Sequence, residues 1–427
     1  VEKINEELKK TKSNPSSTID YHKLNTIKKI ITKKYKLKSI PTNIQILIYS
    51  EDNLKNKNSI QTANKNITQT EKQKIKHLLI TKPIRTISGV AVVAVMSKPG
   101  KCPHGKCIFC PGGINSEFGD VPQSYTGKEP ATLRGIRNDY DPCLQIFNRL
   151  EQYVILGQNP EKVELIIMGG TFLNFEKEYK EKFILNCFKA MNDFSDEFYT
   201  KQGIIDIDKF KAFFELKLNV KDDARTKRIH SKILKLKNKN IKSLQWEQQK
   251  NDDPIPEKNK NDDSIKNKKR FNTKIKCVGM TIETRPDKGN LIDGNELLDY
   301  GCTRIELGVQ TIHNDILKTI ERGHTAKDSI NSIQTLKDLG FKLNFHLMPG
   351  LPNKNKKGKL ERISAKKDID ALKQIFNDEN YRPDMIKIYP CMVMKGTKLY
   401  DYYKKGIFTP LSTKEAAEII VEFKKSV

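Results

Sequence analysis

Three cysteines stand within nine residues, Cys102-Pro-His-Gly-Lys-Cys107-Ile-Phe-Cys110, and Pro-Gly-Gly follows directly. The spacing C-x4-C-x2-C brings three thiolates close enough to hold three irons of a cubane cluster and leave the fourth iron open. Most iron–sulfur proteins that only carry electrons use four cysteines per cluster. Three cysteines with an open iron therefore point to chemistry at the metal. Two blander readings compete. Disulfides fit poorly, because eight cysteines are spread over 427 residues without a secretory signal. Structural zinc takes four Cys or His ligands, and His104 inside the tight loop is the available fourth. Spacing alone leaves cluster and zinc both open.

Composition narrows the partner. The chain carries 78 basic and 52 acidic residues, a formal charge of +26. A surplus that large favours a polyanion, most simply nucleic acid. Lysine and asparagine also crowd stretches that carry no apolar pattern, so part of the surplus is compositional. A hydrophobic fraction of 37% suffices for a real core. No run of 18 apolar residues occurs, so no membrane span is expected. Thiolate ligands that must stay reduced fit the cytoplasm.

The loop must be positioned by elements that repeat. Gly89–Met96 is a continuous apolar run, as expected of a buried parallel strand. Similar runs return at Val163–Met168, Cys277–Ile282, Arg304–Val309, Leu343–Met348 and Met385–Tyr389. Helical stripes lie between most of them. Leu144, Phe147, Leu150 and Val154 form one; Phe183, Cys187, Phe188 and Met191 form another. Ile330, Ile333, Leu336 and Leu339 form a third, stopped by Gly340 at a C-cap. Strand–helix alternation implies βαβ units around a parallel sheet. The fold class is therefore α/β, a partial (β/α)6 barrel over residues 82–410. Residues 1–81 read as a basic, mainly helical N-terminal extension, with an amphipathic helix around 19–35 that either lies on RNA or packs its apolar side inward. Residues 200–275 carry little apolar pattern and read as a surface insertion, low in complexity from 248 to 270.

In such barrels the site gathers at the carboxyl ends of the strands. Each apolar run ends in something unusual there. The first leads into the cysteine loop, the second into Gly169-Gly170-Thr171, and the third into Glu283-Thr-Arg285-Pro-Asp287. The fourth carries Glu306 and Gln310, the fifth Met348-Pro-Gly-Leu-Pro352, the sixth Tyr389-Pro-Cys391. The glycine pair permits close backbone approach, with carbonyls that can accept from an ammonium group. Arg285 can grip a carboxylate with two hydrogen bonds, or simply pair with Asp287 or Glu283. Gln310 can bond a ribose or an amide. Glu306, within its strand, can merely brace the sheet, and Cys302 and Cys391 read as core residues.

The cysteine loop, the Gly-Gly-Thr turn and the partial barrel together resemble radical S-adenosylmethionine (SAM) enzymes. Longer strings resemble one family of them, the Elongator catalytic subunit, a tRNA uridine acetyltransferase. They are Lys82–Met96, Gln123-Ser-Tyr-Thr-Gly127, Tyr140-Asp-Pro142, Val163–Phe172, Thr281–Asp287, Tyr300–Gln310 and Arg322-Gly-His-Thr325. The resemblance implies a 4Fe-4S cluster on Cys102, Cys107 and Cys110, and a SAM site at Gly169, Gly170, Thr171, Glu283, Arg285 and Gln310. It implies that a SAM-derived radical activates acetyl-CoA, whose carbon then adds to C5 of the wobble uridine to give 5-carboxymethyluridine. Lys162 falls where the family contacts acetyl-CoA. The short gap between the first two cysteines resembles archaeal and bacterial members.

Partners implied are tRNA through its anticodon stem-loop, acetyl-CoA and an electron donor; a homodimer is compatible with the sequence. Lys128, Arg134, Arg137 and the N-terminal lysines are expected to contact phosphate. Residues 411–427 read as a C-terminal helix leading to an acetyltransferase domain expected outside this chain, since no Q-x-x-G-x-G/A pattern occurs. The competing functions are a radical SAM enzyme acting on a small molecule, and a non-catalytic RNA-binding protein with a zinc knuckle at 102–110.

Overall fold

The computed structural model describes residues 21–37, 39–46, 78–79, 86–170, 172–216, 223–239 and 273–425. Ten strands run β1 (Ala91–Met96), β2 (Gly113–Ser116), β3 (Gly119–Val121), β4 (Lys162–Met168), β5 (Lys276–Thr284), β6 (Arg304–Gln310), β7 (Lys342–Leu347), β8 (Pro352–Lys354), β9 (Leu360–Arg362) and β10 (Met385–Ile388). The helices are α1 (Tyr21–Lys34), α2 (Pro130–Arg137), α3 (Pro142–Ile155), α4 (Lys177–Phe198), α5 (Ile207–Phe213), α6 (Asp223–Lys239), α7 (Leu291–Asp299), α8 (Asn314–Thr319), α9 (Ala326–Asp338), α10 (Ala365–Asn377), α11 (Lys398–Lys404) and α12 (Thr413–Lys424). Two compact units emerge, one from the described parts of residues 1–91 with Asn148–Lys162 and Phe198–Ile229, the other from Val92–Phe147, Val163–Glu197 and His230–Val427. Among the described residues no helix is long and apolar enough to cross a membrane.

The second unit holds the sheet. Its strand order is β1-β4-β5-β6-β7-β10, the order of the chain itself, and β5–β6, β6–β7 and β7–β10 pair in parallel. This is the expected parallel half-barrel, strand for strand. Ile282, Ile305, Leu307, Leu343 and Phe345 are fully buried on one face. The alternate positions carry Glu283, Glu306, Asn344 and His346 on the other. The free edge at β1 is capped by Gln145 of α3, which accepts from Met96 N at 2.8 Å and donates to Met96 O at 2.9 Å. Such a bidentate cap satisfies edge groups that would otherwise lie buried and unpaired. Helix α9 starts with a capping box of Thr325 and Asp328 and ends before Gly340, whose φ is +87°. Of its predicted stripe, Ile333 and Leu336 are buried and Ile330 and Leu339 half-buried.

The other unit decides between the two readings of the N-terminal helix and adds helices within the expected insertion. Helix α1 buries Leu24 and Ile27 with Leu79, and Ile31, Ile46 and Leu78 pack beside them. Its apolar side is a packing surface, while Lys29, Lys33 and Lys34 stay exposed. Within the stretch read as a weakly patterned insertion, Ile207–Phe213 and Asp223–Lys239 form α5 and α6. Phe198, Phe210 and Phe214 are buried as one aromatic cluster, with Phe198–Phe210 centroids 5.4 Å apart. Arg225 of α6 locks it, donating to Phe214 O at 2.8 Å and to Glu151 at 2.7 Å. The sequence hides this because three phenylalanines among lysines suffice to build it. The low-complexity stretch 248–270 lies outside the described residues.

Asp368 of α10 fixes the turn that ends β7. It accepts from Gly350 N at 2.8 Å and is buried. Burial pushes its carboxyl up to about 7 against the pull of Arg362 and Lys367. The folded chain thus keeps a proton that the unfolded chain releases in the ordinary carboxylate range. That stabilisation is full below about pH 4 and is gone once pH has risen through about 7. Melts from about pH 5 to about pH 8 should show wild type losing stability relative to Asp368→Asn. Parallel curves for the two proteins would refute this account.

Candidate active site at the carboxyl ends of the strands

The cysteine loop leaves β1 and is fixed by apolar residues inside it. Ile108 and Phe109 are buried together with Ile316, Leu317, Ile320, Leu351 and Leu399. Ile108 N donates to Ile320 O at 3.2 Å, and its carbonyl accepts from Leu399 N at 2.9 Å. Cys107 and Cys110 are consequently buried and Cys102 half-buried; all three are free thiols. Ser124 N donates to Cys110 Sγ at 3.2 Å, and Arg322 Nη1 donates to Cys107 Sγ at 3.7 Å while its Nη2 bonds Gly308 O at 3.1 Å. Burial pushes the Cys110 thiol up to about 11 and raises Cys102 as well, against the opposing pull of Arg285. Among the described residues no three His, Cys, Asp or Glu side chains group as around a single metal ion.

His104 lies between a thiol of the loop and Arg285. Its Nε2 lies 3.3 Å from Cys107 Sγ, and Nδ1 meets Arg285 Nη1. Burial, then Arg285 and Arg322, lower its pKa to about 4, so the ring is neutral. A side chain at Gly323, φ +76°, would place its Cβ 2.4 Å from His104 Cβ, so only glycine fits beside this ring. Arg285 takes the second of its two expected roles, the ion pair with Asp287. Its Nε and Nη2 already clasp Asp287 at 2.8 and 2.6 Å and its Nη1 meets His104. All three nitrogens are engaged, so Arg285 holds the loop.

Gly169 and Gly170 end β4 with φ of +138° and +63°. A Cβ on Gly169 would come within 2.1 Å of Ser97 Oγ. Gly169 N donates to Glu283 Oε2 at 3.0 Å, and Tyr125 OH donates to both Glu283 oxygens at 2.8 Å. Glu283 is buried, and desolvation followed by Glu306 raises its pKa. Gln310 takes φ +67°, is buried, and leaves Oε1 without a partner. Glu306 braces the sheet as anticipated, 2.5 Å from Lys387 Nζ. Cys302 and Cys391 lie in the core. Thr171 lies outside the described residues.

Four further residues carry an expected contact with acetyl-CoA or phosphate. Lys162 is exposed at the amino end of β4, the opposite end from Gly169. Lys128 and Arg137 are exposed, as phosphate contacts require. Arg134 is not: it is buried and donates from Nη2 to Ala94 O at 2.7 Å, so it braces β1 and is withdrawn from any RNA surface. Sequence reading missed Tyr125, Arg322 and Lys387. The first two sit inside strings already singled out, but nothing in a string says which side chain turns inward.

Residues 227–361 match the Radical SAM superfamily, and residues 383–427 match the Radical_SAM C-terminal domain. A tRNA uridine(34) acetyltransferase of Methanocaldococcus infernus is 39% identical over all of this chain and 62% of its own length. Elongator complex protein 3 of Saccharomyces cerevisiae is 33% identical over 97% of this chain and 59% of its own. The solved Methanocaldococcus infernus Elp3 with its N-terminus deleted superposes with a TM-score of 0.50 at 32% identity, over 79% of this chain and 54% of that one. The chain thus spans less than two thirds of the length of each. The half-barrel, the cysteine loop with its glycine-pair neighbour, and these matches agree: residues 227–361 carry a Radical SAM domain, and the chain is similar over its length to tRNA uridine(34) acetyltransferases and Elongator complex protein 3.

Proposed function

We propose that this chain forms the radical-generating and RNA-binding part of an enzyme that converts the wobble uridine of tRNA toward 5-carboxymethyluridine with acetyl-CoA. One observation supports this most: sulfur and glycine pair are wired together. Ser124 N bonds Cys110 Sγ, the next residue Tyr125 bonds Glu283, and Glu283 holds Gly169 N. Cluster ligands and a cofactor cradle need such mutual fixing to react with each other.

The donor set suits a 4Fe-4S cluster. Three thiols from one loop, with an amide N–H and a guanidinium donating to sulfur, are the surroundings that tune such clusters. Cys102, Cys107 and Cys110 would be its ligands. When bound, the reduced cluster and SAM supply a 5′-deoxyadenosyl radical. The chain's own residues orient and shield. Carbonyls of Gly169 and Gly170 would accept from the SAM ammonium, and the unpartnered Oε1 of Gln310 would take a ribose hydroxyl. Glu283 acts through Gly169, and Arg285 through His104, as positioning residues. Lys128, Arg137 and the exposed lysines of α1 would meet phosphate, steering an anticodon loop whose bases are already unstacked. Acetyl-CoA binding at Lys162, a cytoplasmic location, an electron donor and a second copy remain parts of the same reading.

Anaerobic reconstitution with iron and sulfide, then dithionite and SAM, tests this by assaying 5′-deoxyadenosine with and without tRNA. Formation stimulated by tRNA is expected; formation that tRNA leaves unchanged would favour a small-molecule substrate. Replacing Cys102, Cys107 and Cys110 together by Ala should abolish bound iron and acid-labile sulfide, and unchanged iron would refute the ligand assignment. Gly169→Ala should keep its iron yet lose at least about tenfold in SAM cleavage, through backbone strain and the clash with Ser97. Affinity for an anticodon stem-loop should fall with salt by about 0.7 log units per log unit for each phosphate contact. Lys128→Ala with Arg137→Ala should flatten that slope by about 1.4, and an unchanged slope would place the RNA elsewhere.

A further inference from the structure

Positive charge gathers on one element beyond the carboxyl end of β7. Residues 352–367 hold seven basic side chains and a single acidic one, Glu361. They begin with the antiparallel hairpin β8–β9, in which Pro352 stands opposite Arg362 and Lys354 opposite Leu360. One side chain builds its turn. Asn355 Oδ1 accepts from the N–H groups of Lys357 and Lys359, both at 3.0 Å, and Gly358 takes a left-handed φ of +73°. Asn355 N donates to Lys359 O at 2.9 Å and closes the loop. Such an Asx-type turn holds its shape without apolar side chains.

The root of the hairpin is fastened to the core and to three helices. Leu351 and Ile363 are buried in the cluster that holds Cys107, Ile108 and Cys110, and Leu360 packs beside them. Asn353 Nδ2 donates to Asp315 Oδ2 of α8 at 2.6 Å, and Lys367 Nζ of α10 meets the same carboxylate at 3.2 Å. Arg362 donates to Pro410 O at 3.0 Å and pairs with Glu415 of α12. From Leu351 to Asn355 the chain can reach no more than about 13 Å at strand pitch, so the tip stays near the core of the cysteine loop. The tip itself is bare charge. Lys354, Lys356, Lys357 and Lys359 are exposed, and among the described residues none of the four has an ion-pair partner. Lysine is common in this chain, but others on segments around the cysteine loop are neutralised: Lys367 by Asp315, Lys395 by Glu117 and Lys398 by Glu321.

We propose that the tip of the β8–β9 hairpin is an arm that grips RNA phosphates, an inference that rests on the RNA-modifying reading above and adds a surface to it. Four like charges held on one short turn repel one another, and a polyanion relieves that repulsion. Lysine ammonium groups meet phosphate as point charges. The tip, Lys354 to Lys359, has no aromatic ring on which a base could stack. The arm therefore holds the backbone and does not read sequence. RNA is favoured over an acidic peptide because the arm is anchored in the core that fixes the cysteine loop, where a reacting RNA would lie.

The test is equilibrium binding of an anticodon stem-loop RNA to the full 427-residue chain, by fluorescence anisotropy over a series of salt concentrations. Replacing Lys354, Lys356, Lys357 and Lys359 together by Ala should flatten the plot of log affinity against log salt by up to about 2.8, at about 0.7 for each contact. A change below about 0.7, less than one contact, overturns the inference. Replacing the same four by Arg should keep the wild-type slope; a slope that falls there as well would trace the effect to the hairpin's fold and overturn it too. A control variant replaces Lys201, Lys227, Lys235 and Lys276, all exposed, by Ala. An equal loss in that control would reduce the effect to net charge, again overturning the inference. Poly-glutamate that displaces the stem-loop as well as unlabelled RNA of equal charge would give the arm to acidic chains instead. Without tRNA, 5′-deoxyadenosine formation in the hairpin alanine variant should match wild type. A slope that flattens while tRNA fails to stimulate 5′-deoxyadenosine formation sinks the RNA-modifying reading and leaves the arm standing. An unmoved slope with stimulation intact sinks the arm alone.

Discussion

A single buried carboxylate holds the rim together. Glu283 is removed from water at the end of β5, where desolvation and the neighbouring Glu306 both oppose its charge. Left alone it would be expensive. It is met by Tyr125 OH at both oxygens and by Gly169 N, and Lys387 offsets its charge from β10, three strands away. Each partner comes from a different element: the segment after β3, the end of β4, and β10. Glu283 therefore fixes the glycine pair, the segment whose Ser124 N bonds Cys110 and the polar face of the sheet in one network. Truncating it would remove the acceptor of the Tyr125 hydroxyl and one partner of the Gly169 amide, and a lost buried partner costs about 1–3 kcal/mol.

The cysteine loop is positioned by hydrophobic burial. Ile108 and Phe109 sit between α8 and α11, and the backbone of Ile108 is bonded to both sides. Glycines make room where chains cross: a Cβ at Gly112 would lie 2.3 Å from Pro122 O, and one at Gly323 would strike His104. Cys107 and Cys110 are held in place by core packing. This order of causes suits a site that must hold a reactive centre rigidly.

How far the sequence reveals this follows from what each element buries. The six strands were legible because parallel strands covered by helices read as apolar runs, and their order follows from short crossovers between neighbours. Rim motifs were legible because Gly, Pro and charged residues interrupt those runs at one end only. Less legible were effects of who faces whom. Arg134 reads as a surface cation, yet its guanidinium is spent on Ala94 O. Arg285 reads either as a carboxylate clamp or as a partner of Asp287 or Glu283, and only the fold shows that Asp287 occupies it. Helices α5 and α6 were hidden because sparse phenylalanines among lysines look like linker until Phe198, Phe210 and Phe214 are brought together. Partnership between distant residues has no period in sequence, and that is the part only the fold supplies.

The polar face of the half-barrel then becomes the sharpest constraint on function. Replacing buried ion pairs by packed apolar residues is often neutral or stabilising. A sheet built only to be stable would fill this face with Val and Leu, as its opposite face is filled. Instead β5, β6, β7 and β10 place Glu283, Glu306, Asn344, His346 and Lys387 side by side. Some of these groups satisfy one another, as Lys387 and Glu306 do. Others, Asn344 Oδ1 and His346 Nε2 among them, do not. Mutual satisfaction explains a structural network; leftover donors and acceptors beneath a reactive rim do not help the fold. They are intelligible as one half of a set of hydrogen bonds whose other half a bound molecule would supply.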